Sequence, residues 1–123
     1  MRLGAREFDR LVEDGLTLIP EEIRAFVNNV QIVVEEAPSA ELLEEMDVPP
    51  DETLFGLYQG VPLTERSAAY SALPDRIIVF RRPLLDEFDV PLDIRREVAR
   101  TVIHEIAHHF GISEKRLVEL GWD

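Results

Sequence analysis

Cysteine is absent from the 123 residues of this chain, which excludes disulfide bonds and thiolate metal sites. Its absence is typical of a protein from a reducing compartment. No run of apolar residues approaches the roughly 18 that a membrane-spanning helix requires. The opening stretch, MRLGAREFDRLVEDG, carries charges throughout and lacks the apolar segment of a secretory signal. We therefore expect a cytoplasmic protein that does not enter a membrane.

Basic residues are also scarce. Lysine and arginine together number 13 against 25 aspartates and glutamates, which gives a net charge of −12. Charge of this sign repels a phosphate backbone, so we expect no nucleic-acid partner. The length of 123 residues suits a single domain, residues 1–123, with one hydrophobic core.

The apolar pattern predicts an α+β fold. Helical spacing runs over residues 5–19, and Pro20 opens a second helix that ends near residue 29. Three segments predict strands: VQIVVEEA (30–37), LFGLYQG (54–60) and DRIIVFRRPLL (75–85). Ser39 caps a short acidic helix after the first strand, and residues 61–74 have the composition of a loop. Two further helices complete the order α-α-β-α-β-β-α-α. This order predicts a small mixed sheet packed with helices.

The two helices that complete the predicted order lie in the last third of the chain. The longer one opens at Asp89 and Pro91, runs to about Phe110 and is stopped by Gly111. A short helix, EKRLVEL, follows and is capped by Ser113. The glycines of the 54–60 strand suit a strand that another element approaches closely. The continuous apolar core of the 75–85 strand predicts burial on both faces.

All three histidines of the chain lie within six positions of the long helix. His104 and His108 are four residues apart, so they share one helical face and can bind a single tetrahedral metal ion. Glu105 lies about 100° further round the helix, where its carboxylate can reach a water on the metal and act as general base. HEIAH is therefore the H-E-x-x-H signature of helical zinc peptidases.

The alternative is a pair of hydrated surface histidines without a metal. The helix leaves little room for water, because apolar residues occupy most of its circumference: Val98, Ala99, Val102, Ile103, Ile106, Ala107 and Phe110. A polar group in such surroundings costs about 1–3 kcal/mol unless it finds a partner. A metal ion supplies that partner to both rings, which favours the metal site.

A third ligand is expected beyond the turn at Gly111. Glu114 lies ten residues after His104, where the chain can fold back and present a carboxylate to the ion. Glu119 is the rival, one turn further along and facing away. His109 stands about 100° from His108 and cannot share the metal. The predicted zinc ligands are therefore His104, His108 and Glu114, with Glu105 as catalytic residue.

The sequence resembles the small bacterial zincin-like metallopeptidases, the minimal zincins, over roughly residues 30–123. The segments that carry the resemblance are LYQGVPLTERS, DRIIVFRRPLL and HEIAHHFGISEKRLVELGW. The spacing H-E-x-x-H-x-x-G-x-x-E is that of the metzincins, with glutamate in place of their usual third histidine. The resemblance implies a zincin-like fold, zinc on His104, His108 and Glu114, and Glu105 as base.

Two departures from the metzincins bear on function. No methionine turn follows the signature, since the methionines are Met1 and Met46, and nine residues after Glu114 are too few for the lower wall of a peptidase cleft. We expect the last helix, with Leu117, Leu120 and Trp122, to form the floor. The candidates for stabilising an oxyanion are Tyr58, Arg66 and Tyr70.

Two functions follow from this pattern. The first is a zinc peptidase that binds a peptide or protein substrate extended along an edge strand, for which residues 54–60 are the candidate. The second is a zinc-stabilised binding module without peptidase turnover, in which the metal contributes only to folding.

Overall fold

A computed structural model describes residues 3–60 and 74–123. Its elements are α1 (Ala5–Leu16), α2 (Glu21–Val27), β1 (Val30–Glu35), α3 (Ala40–Glu45), β2 (Gly56–Gln59), β3 (Asp75–Phe80), α4 (Arg81–Glu87), α5 (Pro91–Phe110) and α6 (Glu114–Leu120). The predicted α+β fold with a small mixed sheet is confirmed. The loop predicted at 61–74 lies, except for Pro74, outside the described residues.

One prediction was wrong: the strand expected over residues 75–85 ends at Phe80, and helix α4 follows it directly. Pro83 has no backbone N–H to give to a sheet, yet it is tolerated in the first turn of a helix. The helical turn buries both Leu84 and Leu85, at 0% and 1% exposure.

The three described strands form one mixed sheet in the order β1-β3-β2. Strand β1 runs parallel to β3, whereas β2 runs antiparallel to it. The last four residues of the central strand, Ile77, Ile78, Val79 and Phe80, are at most 4% exposed. Because successive side chains point to opposite faces, both faces of this strand are buried, as the unbroken apolar run predicted.

Strand β2 lies at one edge of this sheet, as predicted for the 54–60 segment. The backbone N–H of Phe80 donates to the carbonyl oxygen of Phe55 at 2.8 Å, and this fixes the alternation of the antiparallel ladder. Leu57 and Gln59 therefore bond to β3, while the N–H and C=O groups of Gly56 and Tyr58 point to the outer side.

Helix α5 spans the molecule and joins two hydrophobic clusters. Its buried residues are Ile94, Val98, Ala99, Val102, Ile103, Ile106 and Ala107. Ile94 and Val98 pack with Phe8, Leu11 and Val12 of α1, whereas the later residues pack with Ile77 and α6. The helix begins with Pro91 and ends at Gly111, where φ is 75°, as the sequence predicted. Among the described residues, no helix combines the length and apolar composition needed to span a membrane.

Helix α5 passes close to β2 at Gly56. A Cβ atom placed on Gly56 would lie 2.5 Å from the Cγ2 atom of Thr101 and 2.8 Å from the carbonyl oxygen of Ile78. Both distances are too short for any side chain, so glycine is required for the helix and the strand to approach this closely. The predicted close approach to this strand is confirmed at Gly56.

We expect Gly56→Ala to lower the free energy of unfolding by about 1–3 kcal/mol, because the added methyl group overpacks the contact between α5 and β2. Urea denaturation measures the change. Gly60→Ala is the matched control, since its Cβ would meet the Asp75 carboxylate at ordinary contact distances, of which 3.6 Å is the shortest. Equal losses in the two variants would contradict the close-packing argument.

Candidate active site

The two histidines of the signature lie on one face of α5, one turn apart, as the sequence predicted. Their ring centroids are 6.4 Å apart and the rings are nearly perpendicular, at 87°. The His104 ring is half-buried and the His108 ring is exposed. The pair is therefore reachable from solvent on the His108 side and backed by protein on the His104 side.

The His104 ring has a backbone partner behind it. Its Nε2 atom lies 2.8 Å from the carbonyl oxygen of Trp122. A carbonyl oxygen can only accept a hydrogen bond, so Nε2 carries the proton in this contact. In the neutral ring, Nδ1 then holds the lone pair. Sequence analysis placed Trp122 in the floor of the site but did not predict this bond.

Glu105 reaches from α5 to the edge strand. Its Oε1 atom accepts a hydrogen bond of 2.6 Å from the backbone N–H of Tyr58, and the residue is half-buried. This N–H is one of the groups that β2 turns to its outer side. The bond therefore places the carboxylate of the signature glutamate at the outer side of β2.

Asp75 and His109 hold the Tyr58 side chain. Its hydroxyl donates to the Oδ2 atom of Asp75 at 2.6 Å. Its ring stacks on the imidazole of His109, with centroids 3.9 Å apart, and the His109 Nε2 atom is 4.0 Å from the same Asp75 oxygen. His109 therefore packs against the edge strand. The hydroxyl predicted as an oxyanion donor is engaged with Asp75.

The predicted third ligand, Glu114, is exposed in the first turn of α6, just beyond Gly111. Within residues 3–60 and 74–123, no three histidine, aspartate or glutamate side chains converge closely enough to hold a metal. The rival Glu119 lies 3.8 Å from the Nη1 atom of Arg116. The structure thus brings His104 and His108 to one face, and the assignment of Glu114 stays a prediction.

The donor chemistry of these residues fits zinc. Two imidazoles at i and i+4 together with a carboxylate are a usual zinc donor set. The Trp122 carbonyl also gives His104 the second hydrogen-bond partner that metal-binding histidines commonly have. Arg66 and Tyr70, the other predicted oxyanion donors, lie outside the described residues.

Two further features near the site were not predicted. Glu97 lies two turns before His104 on α5, and burial raises its carboxyl pKa above the ordinary value, against the opposing effect of the Arg100 charge. Phe110 is 43% exposed and packs on Phe26, with ring centroids 4.9 Å apart. Phe110 also meets the Tyr58 ring edge-on at 6.4 Å, so an exposed aromatic surface adjoins the edge strand.

A helix that carries H-E-x-x-H, with its glutamate at an antiparallel edge strand, has the composition of a zinc metallopeptidase centre. A model of the zincin-like metallopeptidase family matches residues 27–122, and the chain belongs to this family. A conserved hypothetical protein from Thermo thermophilus has a similar structure, with a TM-score of 0.57 and 23% sequence identity. The match covers 92% of this chain and 99% of that protein. A search of curated proteins finds no significant match.

The Tyr58 contacts generate a prediction about stability. Tyr58→Phe removes the hydroxyl but keeps the ring that stacks on His109, so we expect a loss of about 1.5–3 kcal/mol, the range for a hydrogen bond to a charged group. Denaturant unfolding of Tyr58→Phe, Asp75→Asn and the double variant measures the coupling in a thermodynamic cycle. Strictly additive losses would show that the 2.6 Å contact contributes no coupling energy.

Proposed function

We propose that this protein is a zinc-dependent peptidase that hydrolyses peptide or protein substrates bound along β2. The observation that carries the proposal is the 2.6 Å hydrogen bond between the Glu105 carboxylate and the Tyr58 backbone N–H. It joins the signature glutamate directly to the strand on which an extended peptide could pair. Membership of the zincin-like metallopeptidase family supports a peptidase-like function.

The proposed zinc ligands are His104, His108 and Glu114. The histidine pair faces solvent from one side of α5, and Glu114 follows the sharp turn at Gly111. When bound, zinc lowers the pKa of a coordinated water toward about 7 and polarises the scissile carbonyl.

Glu105 would perform the proton transfers. Tyr58 holds its Oε1 atom, which leaves Oε2 to take a proton from the attacking water. The water oxygen forms a bond to the carbonyl carbon, and the C–N bond breaks as the leaving nitrogen gains a proton from Glu105. One water is consumed, and a carboxylic acid and an amine are formed.

The substrate would lie extended beside β2. The N–H and C=O groups of Gly56 point to the outer side of the strand, on which no other described strand pairs. An added peptide strand gains affinity from such main-chain groups and specificity from nearby side-chain pockets. The aromatic surface of Phe26 and Phe110 adjoins this edge, which favours a large apolar side chain in the substrate.

Glu105→Gln tests the role of the base. The amide retains an oxygen that can accept from Tyr58 N–H but cannot take a proton, so we expect peptide hydrolysis to fall by about 10²–10⁴-fold. Digestion of a peptide library measures the rate, and elemental analysis of the same samples should show zinc retained. Cleavage as fast as that of the wild type would exclude Glu105 as the base.

A paired substitution tests the third ligand. We expect Glu114→Gln, like His104→Ala and His108→Ala, to lose stoichiometric zinc after dialysis, because a neutral amide binds the ion more weakly than a carboxylate. Glu119→Gln is the matched control on the same helix, and it should retain the metal. Full zinc occupancy in Glu114→Gln together with loss in Glu119→Gln would reverse the assignment.

The alternative function is a zinc-stabilised binding module. The hydrogen bond between Glu105 and Tyr58 supports this function too. The Glu105–Tyr58 bond ties α5 to β2, a structural role that needs no turnover. In that case the wild-type protein would bind zinc and peptides along β2 without hydrolysing them. Products in the wild-type digest that are absent from the Glu105→Gln digest decide for the peptidase.

A further inference from the structure

A groove runs along the open edge of β1, which is the edge of the sheet opposite to β2. The strand order β1-β3-β2 leaves this edge without a partner strand within residues 3–60 and 74–123. The groove has a volume of about 460 Å³, and four consecutive strand residues, 31–34, line it. Successive side chains of a strand point to opposite faces, so a groove lined by consecutive residues lies along the edge of β1 and not over one face.

Helix α1 forms the other wall of the groove. Its lining residues are spaced at i, i+3, i+4 and i+7 on one helical face: Asp9, Val12, Glu13 and Leu16. Val12 is buried and Leu16 is half-buried, and together they form an apolar floor. Asp9 and Glu13 are exposed and form an acidic rim, and neither takes part in an ion pair of the described residues. The groove therefore combines the main-chain groups of a strand edge with an apolar floor and two unneutralised carboxylates.

The edge of β1 lacks the features that usually protect an open strand. Proteins keep such edges from pairing with other chains by means of lysine, proline or a β-bulge. The strand, VQIVVE, contains neither lysine nor proline. Its register with β3 is continuous from Val30 opposite Asp75 to Glu35 opposite Phe80, so it contains no bulge. An apolar edge without this protection is a template for another extended chain.

The charges of the groove determine which chain can occupy it. Asp9 and Glu13 are one turn apart, about 6 Å along the helix, which is close to the distance of about 7 Å between alternate residues of an extended strand. Lysine or arginine at alternate positions can lay its aliphatic stem over the apolar floor and bring its charge to the acidic rim. A second copy of this chain fits poorly, because two acidic grooves would meet, β1 has no basic residue, and each copy carries a net charge of −12.

The alternation of β1 sets the two faces of an added strand. Ile32 and Val34 pack in the cluster that contains Val12 of α1, so Val33 points to the opposite face. An added strand has the same alternation. Its side chains on the α1 face meet the acidic rim, and those between them lie beside Val33 on the other face.

We propose that the groove between α1 and β1 binds a partner protein through an extended segment in which lysine or arginine alternates with apolar residues. The segment adds a strand to the open edge of β1, where main-chain hydrogen bonds hold it and the acidic rim selects its basic side chains. This docking surface lies at the opposite edge of the sheet from the proposed substrate strand β2, and it depends neither on zinc nor on hydrolysis.

The first measurement is a titration of the full-length protein with a capped peptide of alternating lysine and valine, followed in ¹⁵N amide spectra. We expect saturable shifts at residues 9–16 and 31–34. A peptide of the same composition, with its lysines and its valines in separate blocks, should bind more weakly, because it cannot present one kind of side chain on each face. Equal binding of the two peptides would overturn the proposal, since charge alone would then account for the attraction.

The second measurement is the affinity of the alternating peptide for two charge-neutralised variants. Asp9→Asn combined with Glu13→Gln should weaken binding by about 2–30-fold, the range for the loss of two exposed ion pairs. Glu41→Gln combined with Glu45→Gln is the matched control, because it removes two exposed glutamates at the same spacing from α3, outside the groove, and should leave the affinity unchanged. All four substitutions are on exposed side chains of similar size, so both variants should keep the amide spectrum of the folded protein.

Three other results would overturn the proposal. Equal losses in the two variants would show that the peptide responds only to the net charge. Shifts centred on residues 56–59, or no saturable binding at millimolar peptide, would remove the groove as the binding site. Shifts at residues 31–34 that grow with protein concentration in the absence of peptide would identify a second copy of the chain as the occupant.

Discussion

The contact between Glu105 and the Tyr58 backbone joins the two elements on which the site depends. The residues are 47 positions apart in the chain, and the hydrogen bond of 2.6 Å brings them together. It requires α5 to lie very close to β2, which in turn requires glycine at position 56. The close packing of α5 against β2 therefore also fixes the position of the Glu105 carboxylate.

The same constraint explains how polar side chains are accommodated in an apolar helix. His104 and Glu105 stand between buried Ile103 and Ile106, where a polar group without a partner costs about 1–3 kcal/mol. Each has found a backbone partner from another element, the carbonyl of Trp122 for His104 and the N–H of Tyr58 for Glu105. These partners orient the two side chains as well as satisfying them, which is what a catalytic site needs.

Local sequence patterns predicted the features that local physics determines. The face shared by His104 and His108 follows from helical periodicity, and the end of α5 follows from the left-handed glycine at 111. The buried central strand followed from its unbroken apolar run. The error at Arg81–Glu87 arose because a strand and a buried helical turn have similar apolar composition, and only Pro83 distinguished them.

Local sequence patterns could not predict the hydrogen-bond partners of the site residues. These partners make long-range contacts that tertiary packing determines. The contacts join Tyr58 to Asp75, Tyr58 to Glu105, and His104 to Trp122. No periodicity relates residues that come together only when β2 and the segment after α6 pack on α5. The choice between Glu114 and Glu119 as third ligand is of the same kind, because it depends on how the chain turns after Gly111.

A crystal structure of zinc-loaded Glu105→Gln with a bound peptide would test the central claim most directly, because the variant leaves the substrate uncleaved. We predict an extended peptide paired with the outer side of β2 through Gly56, with its scissile carbonyl beside residue 105. The zinc ion should be held by His104, His108 and Glu114. A peptide bound away from β2, or a metal held by other residues, would contradict the account.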